Sequence, residues 1–191
     1  EQGLDLSPLT GIPGAMGGAV VGNAGQGPKG VWLDSFIDSV TAFVDGEWKD
    51  YSKDDCEFAY RESAFKNMSP AAIIWGTALT VPSGDPTAIK EDVEQLLQKR
   101  IETQPHVKTA GSCFKAVDET PAWKLIDAAG LRGEKVGGVQ IAEKHANFLL
   151  NDGTATFADV TTIIDKAKAS VSETLEVEMR LVQEDGTVRE A

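Results

Sequence analysis

The stretch Thr109-Ala110-Gly111-Ser112-Cys113-Phe114-Lys115 carries the residues best suited to chemistry in this 191-residue chain. Gly111 has no Cβ, so its backbone can come close to a ligand. Ser112 presents a hydroxyl that donates or accepts a proton. Lys115 adds a cation three positions on, a charge-assisted partner for an anionic ligand. Taken alone, the heptapeptide reads more simply as an ordinary turn. Two other places hold related chemistry. Arg61 stands among aromatic and polar neighbours in Phe58-Ala59-Tyr60-Arg61-Glu62-Ser63, although a lone arginine is usually a solvated surface residue. Glu178 and Arg180 alternate with Val177, Met179 and Leu181. Period two therefore turns Glu178 and Arg180 to one face, as a solvent ion pair or as two polar groups aimed into a cleft.

Residues 11–25 read Gly-Ile-Pro-Gly-Ala-Met-Gly-Gly-Ala-Val-Val-Gly-Asn-Ala-Gly. Bare backbone of this kind lets N–H groups approach a phosphate or a flat ring. It is not the G-x-G-x-x-G pattern, and a close-packed turn explains the glycines equally well. His145 has no second histidine or cysteine at ligand spacing, so a metal centre is not expected. Cys56 and Cys113 form no C-x-x-C pair, and two cysteines suit a reducing cytoplasm. No apolar run is long enough to span a bilayer.

Eighteen Lys and Arg against thirty Asp and Glu give a formal net charge of −12. That field repels nucleic acid and anionic membrane, so neither is an expected partner. Residues 108–144 are different, with six basic and five acidic side chains around the opening motif. An anionic small molecule would find its local basic surroundings there.

The elements that must position these residues follow from periodicity. Ser39–Val44 and Glu47–Tyr51 flank Asp45-Gly46 and predict a hairpin. Residues 71–81 read as a buried strand. Asp85 can cap and Pro86 can open a helix whose apolar positions run from Ile89 to Ile101, stopping before Pro105. A domain boundary is expected at this break, giving domains 1–84 and 85–191. A short helix from Thr120-Pro121 to Gly130, a glycine-led strand over 136–142 and a turn at 151–153 come next. Thr156 and Asp159 suit a capping box before a helix with Val160, Ile163, Ile164, Ala167, Val171 and Leu175 on one face. A last strand is predicted over 177–182.

Several motifs stand in one order over nearly the whole chain. They are the 11–25 stretch, Tyr-Arg-Glu-Ser-Ala-Phe (60–65), Gln-Pro (104–105), Gly-Ser-Cys-Phe-Lys (111–115), Lys-Leu-Ile-Asp-Ala-Ala-Gly-Leu-Arg-Gly (124–133), Gly-Gly-Val-Gln-Ile-Ala-Glu-Lys-His-Ala-Asn-Phe (137–148), Asn-Asp-Gly (151–153) and Glu-Met-Arg (178–180). Together they resemble the UDP-N-acetylenolpyruvoylglucosamine reductase (MurB) family, in its shorter, type II branch. The resemblance implies an α+β fold: the C-terminal portion of a vanillyl-alcohol-oxidase/MurB-type FAD-binding domain over 1–84, then the substrate domain over 85–191. It implies an NADPH-dependent, FAD-mediated reduction of an enolpyruvyl UDP-sugar in peptidoglycan precursor synthesis, in the cytoplasm, by a monomer or weak self-associating protein.

By the same resemblance Arg61, Ser112 and Glu178 are catalytic. Gly11, Ile12, Gly14, Ala15 and Gly18 lie against FAD, while Asn23, Lys115 and His145 face the UDP-sugar. Two departures stand out. Ala116-Val117 replace the family's Asn-Pro, which removes a substrate contact. The sequence also begins after the family's FAD-gripping portion, which leaves a UDP-sugar-binding module without flavin as the alternative.

Overall fold

The computed structural model describes residues 2–26, 30–105 and 109–189. His106 and Lys108, the first residue of the basic stretch, lie outside the described residues. The chain divides into two compact units, Glu1–Arg100 and Ile101–Ala191, each with its own buried cluster.

The first unit opens with a loop that leads into helix α1 (Met16–Val21). Strands β1 (Ile37–Val44), β2 (Glu47–Ser52) and β3 (Ile73–Leu79) form an antiparallel sheet in the order β2-β1-β3. The expected hairpin is present. Val44 pairs with Glu47 across a two-residue loop, with Asp45 at φ 52° and Gly46 at φ 81°. Two consecutive positive φ values define the tight turn whose twist matches its strands, and Asp-Gly is the pair that tolerates them. Val40 and Ala42 face a core shared with Val20, Leu33, Ile37 and Phe65.

The 71–81 stretch is a strand as expected, but it is not buried. Ile73 is 61% and Trp75 is 75% exposed. The reason is alternation, since Ile73 and Trp75 stand two apart on the outer face while Ile74 between them packs against the core. Thr41 faces Gly76 while Ala42 faces Ile74, so Trp75 is the extra residue of a bulge. Trp75 meets Trp48 edge-on at 5.5 Å, and Trp48 meets Phe43 at 5.1 Å, on the outer sheet face. Helix α2 (Pro86–Thr103) begins as the sequence predicts, with the Asp85 carboxylate accepting the Ala88 N–H at 3.0 Å.

The second unit begins with α3 (Ala122–Ala128), which Gly130 ends at φ 73°. The glycine-led strand expected over 136–142 is instead a hairpin. Strands β4 (Lys135–Val136) and β5 (Val139–Ile141) turn back on one another at Gly137-Gly138, with Val136 opposite Val139. Two glycines in succession favour a tight turn over an extended run. Strand β6 (Leu149–Asn151) completes the sheet in the order β4-β5-β6. Helix α4 (Phe157–Ser170) carries the expected capping box. Thr156 Oγ1 accepts the Asp159 N–H at 3.1 Å, and the Asp159 carboxylate accepts the Thr156 N–H at 2.9 Å. Ile163, Ile164 and Ala167 bury against Ile126, Val139 and Ile141.

Of the strand expected over 177–182, only β7 (Leu181–Val182) joins a ladder, with β8 (Val188–Arg189). The period-two reading holds all the same, since Val177 and Leu181 are buried and Met179 packs on the same cluster. Both units mix helix and antiparallel sheet, so the α+β class is as the sequence predicts. Among the described residues no helix is long and apolar enough to cross a membrane.

Candidate active site

The Gly111–Lys115 segment runs between two others and is bonded to both. On one side Ser112 bridges Phe148, and the Cys113 N–H donates to the Asn147 carbonyl at 2.7 Å. On the other side Phe114 bridges Val177. There the Cys113 carbonyl accepts the Glu178 N–H at 2.8 Å, and the Lys115 N–H donates to the Glu176 carbonyl at 2.8 Å. An ordinary turn would not hold its backbone on both sides. Gly111 sits at φ 87°, and a Cβ there would meet only open space, so backbone conformation alone calls for glycine.

Ser112, Lys115 and Glu178 therefore come from adjoining segments of the second unit. Ser112 and Glu178 are half-buried, and Lys115 is only 7% exposed. The Lys115 ammonium lies 2.5 Å from the Glu176 carboxylate, whose side chain is largely in solvent. Burying the lysine without such a partner would leave a charge uncompensated. A cleft of about 380 Å³ opens beside Thr109 and Ala110, walled by Leu149, Val160, Met179 and Arg180. Arg180 is thus a cleft residue as well as an exposed one.

His145 closes the group. Its ring packs edge-on against Phe148 at 4.7 Å and lies 6.1 Å from Trp123. Burial holds its pKa below the ordinary 6.5, and the charge of Arg132 acts the same way. The imidazole is then neutral at pH 7. Its Nδ1 accepts the Asn147 N–H at 3.3 Å, which leaves the proton on Nε2 as a donor.

The remaining expected site residues belong to the first unit. Gly11 stands at φ 74°, a conformation that favours glycine, and the Arg100 side chain lies over it. Gly14 (φ 112°) and Gly18 face open space, Ala15 precedes the first turn of α1, and Ile12 is half-buried. This exposed backbone fits a flat ring or a diphosphate, as a flavin nucleotide would require. Arg61 stands at φ 60° in the 59–62 turn, donates to the Gly25 carbonyl at 3.0 Å and lies 5.7 Å from the Tyr60 ring. Asn23 is completely buried. Its amide donates to the Ala59 carbonyl at 3.0 Å and accepts the Asp34 N–H at 3.1 Å. The Asn23 side chain thus ties the end of α1 to the turn that carries Arg61.

Two residues escaped the sequence reading. Glu176, the partner of Lys115, was signalled by the same alternation that singles out Glu178. Asn147 was signalled by its place as the one amide in the run Ala146–Leu150.

Both cysteines are buried thiols. Burial pushes Cys56 up to about 11, with Asp55 adding to the effect. Burial pushes Cys113 up to about 12, opposed by Lys168 and reinforced by Glu178. Unfolded thiols ionise near 9, so these groups leave stability intact below pH 9 and lower it as pH rises towards 11 and beyond. At pH 8 a chromogenic disulfide should therefore label neither thiol in the native chain and both in guanidinium. Native labelling within seconds would show that the thiols are not buried.

Fold and site together are those of an α+β module in which a serine, a lysine and a glutamate are joined through one central segment. The model of the family described as "UDP-N-acetylenolpyruvoylglucosamine reductase, C-terminal domain" matches residues 88–183, half of the chain. The chain belongs to this family. It is 40% identical to the UDP-N-acetylenolpyruvoylglucosamine reductase of Geobacter metallireducens, over 97% of this chain and 62% of that protein. It is 38% identical to that of Carboxydothermus hydrogenoformans, over 91% of this chain and 59% of that protein. The crystal structure of UDP-N-acetylenolpyruvylglucosamine reductase (MurB) from Thermus caldophilus superimposes with a TM-score of 0.82 at 32% identity, covering 92% of this chain and 64% of that one. The chain spans about six tenths of the length of the curated relatives it matches.

Proposed function

We propose that this chain forms the substrate-binding portion, and a share of the flavin-binding portion, of an NADPH-dependent reductase. The enzyme converts UDP-N-acetylglucosamine enolpyruvate to UDP-N-acetylmuramate in the cytoplasm, for peptidoglycan precursor synthesis. The observation that carries this reading is the joining of Ser112, Lys115 and Glu178 through one hydrogen-bonded segment in a chain of this family. The proposed substrate domain covers residues 85–191, and the proposed flavin-binding portion covers residues 1–84. The family match from residue 88 supports that division, whereas the compact units part later, between Arg100 and Ile101.

FAD, when bound against Gly11, Ile12, Gly14, Ala15 and Gly18, supplies the hydride equivalent that adds to the vinyl carbon of the enolpyruvyl group. Negative charge then develops on the neighbouring carbon and its carboxylate. Arg61 and Glu178 stabilise that charge as preorganised donors, with Glu178 carrying or sharing a proton. The Ser112 hydroxyl gives its proton to the carbon, and Lys115, on the same segment, is the cation assigned to steady the resulting alkoxide. Lys115 and the Nε2–H of His145 also meet the anionic UDP-sugar. Asn23 acts one step removed, by fixing the turn that carries Arg61, because its amide is already committed to backbone. The partner is thus a UDP-sugar, bound by a monomeric or weakly self-associating protein.

The test is optical. The purified natural protein should be yellow, bleach with NADPH, and regain colour on adding the enolpyruvyl UDP-sugar, with one product formed per NADPH. A colourless protein that neither takes up FAD nor binds the UDP-sugar would overturn the reading.

A further inference from the structure

Asn147 has no role in the reaction described above, yet its buried side chain is bonded twice to one residue of the central segment. It is 5% exposed. Its Oδ1 accepts the Phe114 N–H at 2.9 Å, and its Nδ2 donates to the Phe114 carbonyl at 2.8 Å. Its own carbonyl accepts the Cys113 N–H at 2.7 Å, and its own N–H donates to His145 Nδ1 at 3.3 Å. The chain turns at 145–148, where the Phe148 N–H bonds back to the His145 carbonyl at 3.0 Å. A neighbouring strand cannot continue through such a turn. The Asn147 amide does what its backbone would have done, offering one acceptor and one donor to the same residue of the central segment.

Resting on the reading of Ser112 as proton donor, we propose that Asn147 is the positioning residue of this site. It fixes the segment that carries Ser112 and Lys115, and through Cys113 it fixes the start of the Glu178 segment. The tautomer of His145 is set by the backbone N–H at 147, whatever side chain stands there. Asn147 touches none of the reacting atoms itself. The contribution of its amide is to fix the Phe114 peptide, and with it the segment that carries the proton donor and meets the charge stabiliser, and small errors in such a geometry are costly.

The experiment uses the flavin-loaded natural protein carrying Asn147→Asp, Ser112→Ala or both. Asn147→Asp keeps the acceptor for the Phe114 N–H but faces the Phe114 carbonyl with an oxygen. Reduction of bound flavin by NADPH should proceed at the wild-type rate, while product formation falls about 50-fold. The double variant should be within twofold of Ser112→Ala alone, because both changes act on one step. Equal loss in both half-reactions, or fully multiplicative losses, would overturn the proposal. A normal Asn147→Asp beside a crippled Ser112→Ala would overturn it while leaving the proton-donor reading in place, whereas a normal Ser112→Ala would remove that reading itself. If the variants do not fold, hydrogen exchange on the wild type decides. The amides of Cys113, Phe114 and Glu178 should open as one unit, and independent opening would overturn the proposal.

Discussion

Ser112→Ala should lower product formation about 1,000-fold, with reduction of the bound flavin by NADPH unaffected, as befits loss of a general acid that acts only after hydride delivery. Removing one hydroxyl from a half-buried position barely changes packing, so melting temperature and flavin content should stay at wild-type values. The effect should fall on kcat, with little change in the KM of the UDP-sugar, because the hydroxyl acts in the transition state more than in binding. A serine is a weak acid in water. Here it stands beside Cys113, whose backbone is held on both sides. Stopped-flow measurement of the two half-reactions would separate the steps. Wild-type formation of the saturated product by Ser112→Ala would refute the assignment.

The second large effect concerns stability. Gly138→Ala should destabilise the second unit by about 3 kcal/mol, the upper end of the usual cost of overpacking. The added Cβ would sit 2.4 Å from the Ala155 nitrogen and 2.6 Å from Thr154 Oγ1. The nearest atom belongs to backbone at the start of α4, which cannot swing aside as a long side chain would. For a unit of this size the loss corresponds to roughly 15 °C in melting temperature. Gly153→Ala provides the contrast. Gly153 sits at φ 102° with nothing within reach of a Cβ, so only the backbone penalty of about 1 kcal/mol remains. Equal losses in the two variants, measured by calorimetry, would refute the steric account.

Local chemistry made much of this fold legible. Asp45-Gly46, Asp85-Pro86 and Thr156 with Asp159 each specify a turn or a helix start within four residues, and each forms as expected. What was missed depends on pairing across the chain. Trp75 lies in a run apolar enough for a core strand, but it shares the outer sheet face with Ile73, and only the packing of the sheet decides which face of such a run is covered. The same holds in the site. Ser112, Lys115 and Glu178 were visible as chemical types, and the family resemblance supplied their roles. The commitment of Asn23 to backbone, the Glu176–Lys115 pair and the double bond of Asn147 to Phe114 all join residues 30 or more positions apart or depend on such joins. Residue type states what a side chain can bond, and only the fold decides which partner takes it.

The order in which the central segment finds its partners sets when this site can exist. Cys113 bonds to Asn147, 34 residues later, and to Glu178, 65 residues later. A ribosome adding about 5–20 residues per second needs roughly 3–13 s to make the second interval. During that time Cys113 and Phe114 have no sheet to join on that side, and an apolar strand with a bare edge is a template for wrong pairing. Formation of the second unit is therefore a late event in synthesis, governed by long-range closure rather than by its helices. A nascent chain stalled before residue 178 should be the species most in need of a chaperone.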